Sequence, residues 1–385
     1  MKHLVEQIDQ SLDWHSLAVL ARRVIEYGIA IQQIPAPTFH EATRANYVAE
    51  LFASLHLVNI KTDDLHNVYG LLPGKKRHTS GILISAHTDT VFDQATNLQT
   101  QTEADRIYGP GLGDNSMGVA GMLGLIQFLN EQHITPEHDL WFVANSREEG
   151  LGDLGGMKVA FEALKPHIRC VINLEGMAFG HVYHAGIAVR RLHITANAEG
   201  GHSWLNFGRV SAIHGIVELG ARITTMLRPP VNPRTTFNIG MIDGGQSINT
   251  IAAQASLWLD LRSEESATLS QFESEARALV ETGARADLTF LIEVVGDRPA
   301  GSIAPEHPLV QGALAALAQV GQRGVLENGS TDANVPLAQG CPAVTVGITR
   351  GGNAHRIDEY IEIPPIAAGL RQLIILALAA AAYTE

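Results

Sequence analysis

Cysteine is nearly absent, with two residues, Cys170 and Cys341, in a chain of 385. They show no thiolate-metal spacing, and each lies inside an apolar run, so buried, reduced thiols are expected. Positive charge is also scarce. Lysine and arginine total 27 against 40 acidic residues, and the net charge of -13 repels phosphate backbones and anionic membrane surfaces. No nucleic-acid or membrane partner is expected. The apolar stretch at 370–383 is shorter than the about 20 residues that span a bilayer. Residues 1–7 lack a signal-type apolar core, so a cytoplasmic protein is expected. The single-zinc helix motif His-Glu-x-x-His is missing, and there is no internal repeat.

What remains is the composition of a soluble globular protein, 45% apolar and 17% charged, and long enough for two domains. Up to about residue 180, short apolar runs at 81–86, 140–144 and 170–174 alternate with helix-like segments such as 116–131. Continuous apolar strands separated by helices predict an α/β fold, a largely parallel mixed sheet with helices on both faces. From about 185 to 296 the order becomes strand 190–198, helix 209–227, strands 236–243 and 255–262, helix 264–283 and strand 287–295. That is a ferredoxin-like βαββαβ unit inserted into the first domain. A helix at 308–320, a strand at 343–348 and a helix at 365–382 resume the α/β pattern. The expected division is therefore 1–184, 185–296 and 297–385.

Candidate functional residues gather where strands end, which is where open α/β sheets carry their sites. The first run delivers His87-Thr88-Asp89, the second Glu148-Glu149, the third Glu175, and a late strand leads to His355. Asp114 lies in a glycine-rich turn, 109–115, just before a helix. Imidazole and carboxylate are ordinary zinc ligands, and two such ions can share a water and polarise a carbonyl. Taken singly these residues are unremarkable. An acidic pair is usually a solvated loop, and most of the 17 histidines are unrelated to any site. The glycine run follows no strand-like segment and lacks the Lys-Ser/Thr ending of a phosphate loop. Gly118, Gly121 and Gly124, three apart, predict close packing of a helix.

In combination these segments resemble the dinuclear-zinc exopeptidase and deacylase family that includes peptidase T, bacterial glutamate carboxypeptidase, aminoacylase, acetylornithine deacetylase and succinyl-diaminopimelate desuccinylase. The motifs are Ser85-Ala86-His87-Thr88-Asp89-Thr90-Val91, Gly111-Leu112-Gly113-Asp114-Asn115, Ser146-Arg147-Glu148-Glu149-Gly150, Asn173-Leu174-Glu175-Gly176 and His355-Arg356-Ile357-Asp358-Glu359-Tyr360. The resemblance implies two divalent ions, zinc with cobalt or manganese as substitutes. Asp114 would bridge them, with His87 and Glu175 on one and Glu149 and His355 on the other. Glu148 would be the general base and Asp89 would orient His87. The Asp114–Asn115 peptide would be cis. The inserted domain would be a lid and homodimerisation domain, with His202 of Gly200-Gly201-His202-Ser203 reaching a substrate oxyanion across the dimer. Asn249 and Arg262 match substrate-binding positions, although Arg262 could equally serve a structural ion pair.

The implied activity is hydrolysis of small di- or tripeptides. The alternatives are deacylation of N-acyl amino acids and a catalytically silent metal- or peptide-binding scaffold. The scaffold would be favoured by loss of Glu148 or a ligand, and none is lost. Many relatives carry a basic residue where this chain has Ser116-Met117. Glu175 is usual in carboxypeptidase and deacylase branches, whereas Gly329-Ser330-Thr331-Asp332-Ala333 is closer to peptidase-T-like tripeptidases, so the substrate signals point both ways.

Overall fold

The runs richest in isoleucine, leucine and valine form the centre of a nine-stranded sheet in this computed structural model, which describes residues 1–77 and 80–383. Four strands, Leu140–Asn145, Gly81–His87, Ile168–Leu174 and Ala343–Val346, lie side by side and parallel. Every residue of Gly81–His87 is buried, because both sheet faces are covered. Ile82, Ile84 and Ala86 join one core with helices Leu17–Gln32, Met117–Glu131, Pro308–Gln319 and Ile366–Ala382. Leu83 faces the other way, toward Met157 and Phe161 of helix Gly155–Leu164. The strand thus reads as an unbroken apolar run while still alternating between two cores. Five further strands complete the sheet, including the antiparallel pair Val58–Thr62 and Val68–Leu72.

Register fixes where the strands stop. His87 pairs with Asn145, Ser85 with Asn173, and Val346 with Leu174, so the carboxyl ends of all four parallel strands reach one edge. Helix Met117–Glu131 packs closely through its glycines. An added Cβ at Gly121 would strike Ile348, and one at Gly124 would lie 2.5 Å from Val24. The apolar C-terminal run is the buried helix Ile366–Ala382, and no helix among the described residues is long and apolar enough to cross a membrane.

The chain divides into two compact units, residues 1–186 with 301–385, and 187–300. The second unit has an antiparallel sheet in the order Thr235–Gly244, Gln254–Ser263, Ala188–Ala198, Leu288–Arg298. Helices Ala212–Met226 and Ser266–Glu281 cover one face, completing the βαββαβ order. Leu257, Leu259 and Leu261 are buried toward the helices, while Trp258, Asp260 and Arg262 occupy the opposite face.

The structure corrects two sequence expectations. The glycine-rich turn does follow a strand, Arg106–Tyr108, whose three residues are too few to show a pattern; it belongs to a small antiparallel sheet with Gln101–Glu103, Tyr360–Glu362 and Gly351–Gly352. That small sheet ties the Asp114 turn to the His355 loop. Cys170 is buried as expected, but Cys341 is only half-buried, since it precedes its strand instead of lying within it.

Candidate metal centre

His87 ends a fully buried strand, and its ring has two separate tasks. Nδ1 lies 3.1 Å from the Asp89 main-chain oxygen, which can only accept, so Nδ1 carries the hydrogen. In the neutral ring Nε2 is then a lone-pair donor, and it faces Asp114 Oδ1 at 3.1 Å and Glu175 Oε2 at 3.7 Å. The Asp89 carboxylate is farther from Nδ1, at 3.5 Å, so orientation of His87 by Asp89 runs mainly through the main chain. The carboxylate is occupied elsewhere. Oδ1 accepts from the Glu148 N–H at 2.8 Å, and Oδ2 accepts from the Glu149 N–H at 3.0 Å and the Thr38 hydroxyl at 2.8 Å. Asp89 therefore holds the turn that presents both glutamates. Glu41 helps by accepting from the Arg147 N–H at 3.2 Å, where Arg147 takes a left-handed φ of 55°.

Asp114 sits in the turn before helix Met117–Glu131, and its peptide bond to Asn115 is cis. Its oxygens face opposite ways. Oδ1 is 3.1 Å from His87 Nε2, and Oδ2 is 3.1 Å from His355 Nε2. His355 in turn lies 2.9 Å from Glu149 Oε1 and has a left-handed φ of 65°, an uncommon conformation that clusters at functional positions. Asn115 clamps the neighbouring segment, donating to the Leu174 carbonyl at 2.7 Å and accepting from the Gly176 N–H at 2.8 Å, on either side of Glu175.

Three donor groups result, each with ligand atoms within 4.8 Å of one another: His87–Asp114–Glu175, Asp114–Glu149–His355 and His87–Glu148–Glu149. Donor atoms of a tetrahedral zinc at about 2.0–2.1 Å stand roughly 3.3 Å apart. The observed separations of 2.9–3.7 Å fit that spacing. Asp114 belongs to the first two groups, so the donor set fits two ions bridged by one carboxylate.

The electrostatics follow from this crowding of acids. Burial alone would hold the His87 imidazolium down, but hydrogen bonds to Asp114, Asp89 and Glu175 raise its pKa well above the ordinary value. His355, bonded to Asp114 and Glu149, is raised to about 10. Burial would raise Asp114, but the two histidines outweigh it and hold that carboxyl well below the usual range. Burial raises Glu175. Positive charge is thus drawn to this pocket of carboxylates, as expected where cations belong.

Several supporting residues were not assigned from sequence. Glu359, fully buried, accepts from the Gly113 N–H at 2.7 Å and the Asp114 N–H at 3.0 Å, and burial pushes its pKa up to about 7. It stands in the His355 motif, where an acidic residue four positions on was the available signal. Asp332, also buried and raised to about 7 by burial, accepts from Asn145 Nδ2 at 2.7 Å beside the His87 strand end. Arg44, buried under the site, donates to the Thr88 carbonyl at 2.6 Å and the Ile34 carbonyl at 2.9 Å. No motif marks Arg44, which reads as one more charge on a helix.

His202, Asn249 and Arg262 lie in the second unit. His202 and Asn249 meet at a small antiparallel ladder between distant segments, with Gly201–His202 paired to Thr250–Ile251 and the Ser203 N–H donating to the Asn249 carbonyl at 3.0 Å. The exposed His202 accepts the N–H groups of Trp204 at 3.2 Å and Leu205 at 3.4 Å on Nδ1, so Nε2 carries the hydrogen and is a donor. The Asn249 side chain accepts from the Ser247 hydroxyl at 2.9 Å. Arg262 pairs with Asp260 at 2.7 Å, and Asp260 also meets Arg191 at 3.1 Å, which gives the structural ion pair.

The model for Peptidase family M20/M25/M40 matches residues 83–379. Acetylornithine deacetylase of Edwardsiella ictaluri (strain 93-146) is 31% identical over 335 residues, covering 80% of this chain and 83% of the relative. A tripeptidase from Staphylococcus aureus superposes with a TM-score of 0.78 at 22% identity over 94% of this chain and 98% of that one. The di-peptidase Dug1p of Saccharomyces cerevisiae gives 0.78 at 13% identity, with 100% of both chains covered.

Proposed function

Because the chain belongs to peptidase family M20/M25/M40, a family of metal-dependent peptidases and deacetylases, we propose that it is a two-metal hydrolase cleaving the amide bond of di- or tripeptides, with His87 and Glu175 on one ion, Glu149 and His355 on the other, and Asp114 between them. The observation that carries the proposal is Asp114, whose two oxygens each stand 3.1 Å from a different histidine. Zinc suits this set of imidazole and carboxylate donors, and cobalt or manganese would be accepted by the same atoms.

Bound ions supply Lewis acidity at the scissile carbonyl and lower the pKa of a water. The remaining work falls to side chains. Glu148, buried and anchored through its main chain, takes a proton from the attacking water and returns it to the leaving amine nitrogen. His202, with Nδ1 committed as an acceptor, offers Nε2–H to the oxyanion of the other protomer's site across the homodimer. Asn249, beside it at the paired strands, contacts substrate. Arg262 has a weaker claim to a substrate carboxylate because Asp260 already engages it.

Deacylation of an N-acyl amino acid is the second reading. It is favoured by the acetylornithine deacetylase relative and by glutamate at position 175. A homodimer through the second unit is supported by its exposed apolar side chains, among them Trp204, Phe207, Met241 and Ile242, and by the outer strand Thr235–Gly244.

The deciding experiment pairs Glu148→Gln with a panel of dipeptides, tripeptides and N-acyl amino acids, following released amine and bound metal. Turnover should vanish while two ions per chain remain. Near-normal turnover in Glu148→Gln would overturn the mechanism, and hydrolysis of N-acyl amino acids alone would select the second reading.

A further inference from the structure

A cavity of about 440 Å³ in the larger unit opens on Asp114 and Glu175. Part of its lining comes from Met177, His181 and Tyr183, and part from Gly329, Ser330 and Thr331 of the neighbouring segment. Both parts are fixed. The Met177 thioether packs against Gly113 and Gly351, where an added Cβ on either glycine would strike it, so this wall is set by the turns that carry Asp114 and lead to His355. The Tyr183 ring lies against Gly329, where a Cβ would come within 2.7 Å of the ring. Burial, then Glu327 and Glu175, raise the Tyr183 pKa, so it presents a neutral phenol. In the neighbouring segment the Thr331 N–H donates to Asn334 Oδ1 at 3.1 Å, and its hydroxyl lies 3.0 Å from that of Thr345.

The lining chemistry is one-sided. Among the described residues no lysine or arginine lines the cavity. The lining imidazole, His181, is already engaged, with Nδ1 3.3 Å from Glu327. A carboxylate buried here would find neither a guanidinium fork nor an ammonium, and burying an unpaired charge is costly. A thioether and a phenol ring instead offer polarizable contacts to uncharged groups.

We propose that this cavity receives a substrate side chain flanking the scissile amide and selects uncharged groups against carboxylates. The proposal rests on the reading of Asp114 and Glu175 as metal ligands. The side chain can come from the acyl residue or from the amine residue, and the same chemistry serves either.

The test uses the zinc-loaded protein and two dipeptide series, one varying the acyl residue and one the amine residue among alanine, leucine, tryptophan and glutamate. The quantity read is the leucine-to-glutamate ratio of kcat/KM within each protein, so that changes in absolute activity cancel. The wild type should favour leucine by about tenfold or more in one series, which identifies the source. Ser330→Arg should lower that ratio by about tenfold or more by supplying a carboxylate partner. Tyr183→Ala, which opens the wall, should move preference toward bulkier side chains such as tryptophan, and it decides the matter if Ser330→Arg loses its metal or its cooperative unfolding. Wild-type preference for glutamate in both series, or ratios untouched by the wall substitutions, would overturn the cavity assignment while leaving the hydrolase intact. A zinc-loaded wild type inert toward every alanine substrate would remove the peptidase reading and this assignment together.

Discussion

Replacing Asp89 tests how the two glutamates are held. Its carboxylate, with no exposure to solvent, accepts from the Glu148 N–H at 2.8 Å, the Glu149 N–H at 3.0 Å and the Thr38 hydroxyl at 2.8 Å. Asp89→Ala leaves two buried N–H groups without an acceptor, at about 1–3 kcal/mol each, so a loss of roughly 2–6 kcal/mol is expected. That is a large fraction of the about 5–15 kcal/mol that stabilises a typical domain. Asp89→Asn is the sharper probe. One amide oxygen can serve one glutamate, but the amide nitrogen then meets the other N–H, donor against donor, at about 1–3 kcal/mol. Because a catalytic group displaced by about 1 Å can lose about 10²-fold in rate, kcat of Asp89→Asn should fall by about that factor. A role confined to orienting His87 predicts far less, since the imidazole already donates to the Asp89 main-chain oxygen. The assays are urea unfolding and kcat on the metal-loaded variants. An Asp89→Asn protein with wild-type midpoint and kcat within threefold would refute the anchoring argument.

Glu359→Leu removes the acceptor of the Gly113 and Asp114 N–H groups and should weaken metal binding by about 10–100-fold in a calorimetric titration, with Glu359→Gln restoring part of it; unchanged affinity in the leucine variant would rule out that support. Gly121→Val places a side chain against Ile348 and should cost about 1–3 kcal/mol in denaturant unfolding, whereas a neutral result would mean that the helix has room to move. His202→Ala should reduce kcat by about 10²–10³-fold if Nε2–H meets the oxyanion, and an effect on KM alone would reassign it to binding.

The parallel strands and the clustering of His87, Glu149 and Glu175 at one sheet edge were legible for the same reason. Buried parallel strands are unbroken apolar runs, and the polar residue that ends each run marks the sheet edge, as with His87 and with Glu175 after Leu174. The ferredoxin-like order was legible in part because Leu257, Leu259 and Leu261 alternate with Trp258, Asp260 and Arg262. Supports that reach across the chain were not. Glu359 acts on residues 245 and 246 positions away, and Arg44 meets Thr88 across 44, with no local period to reveal either pairing. The three-residue strand Arg106–Tyr108 is too short for any period at all. The pairing of Arg262 with Asp260 was within reach, since residues two apart on a strand share a face.

The position of strand Ala343–Val346, hydrogen-bonded beside Ile168–Leu174, has a consequence for how the molecule is made. A ribosome delivers His87, Asp114, Glu149 and Glu175 first, then more than a hundred residues of the second unit (187–300), and only then the strand that leads to His355. Until that strand emerges, one flank of the nascent sheet has no neighbour and the second donor triad has no imidazole. The inserted unit, with a core of its own, can fold during the wait, while the donor cluster is completed only near the end of synthesis.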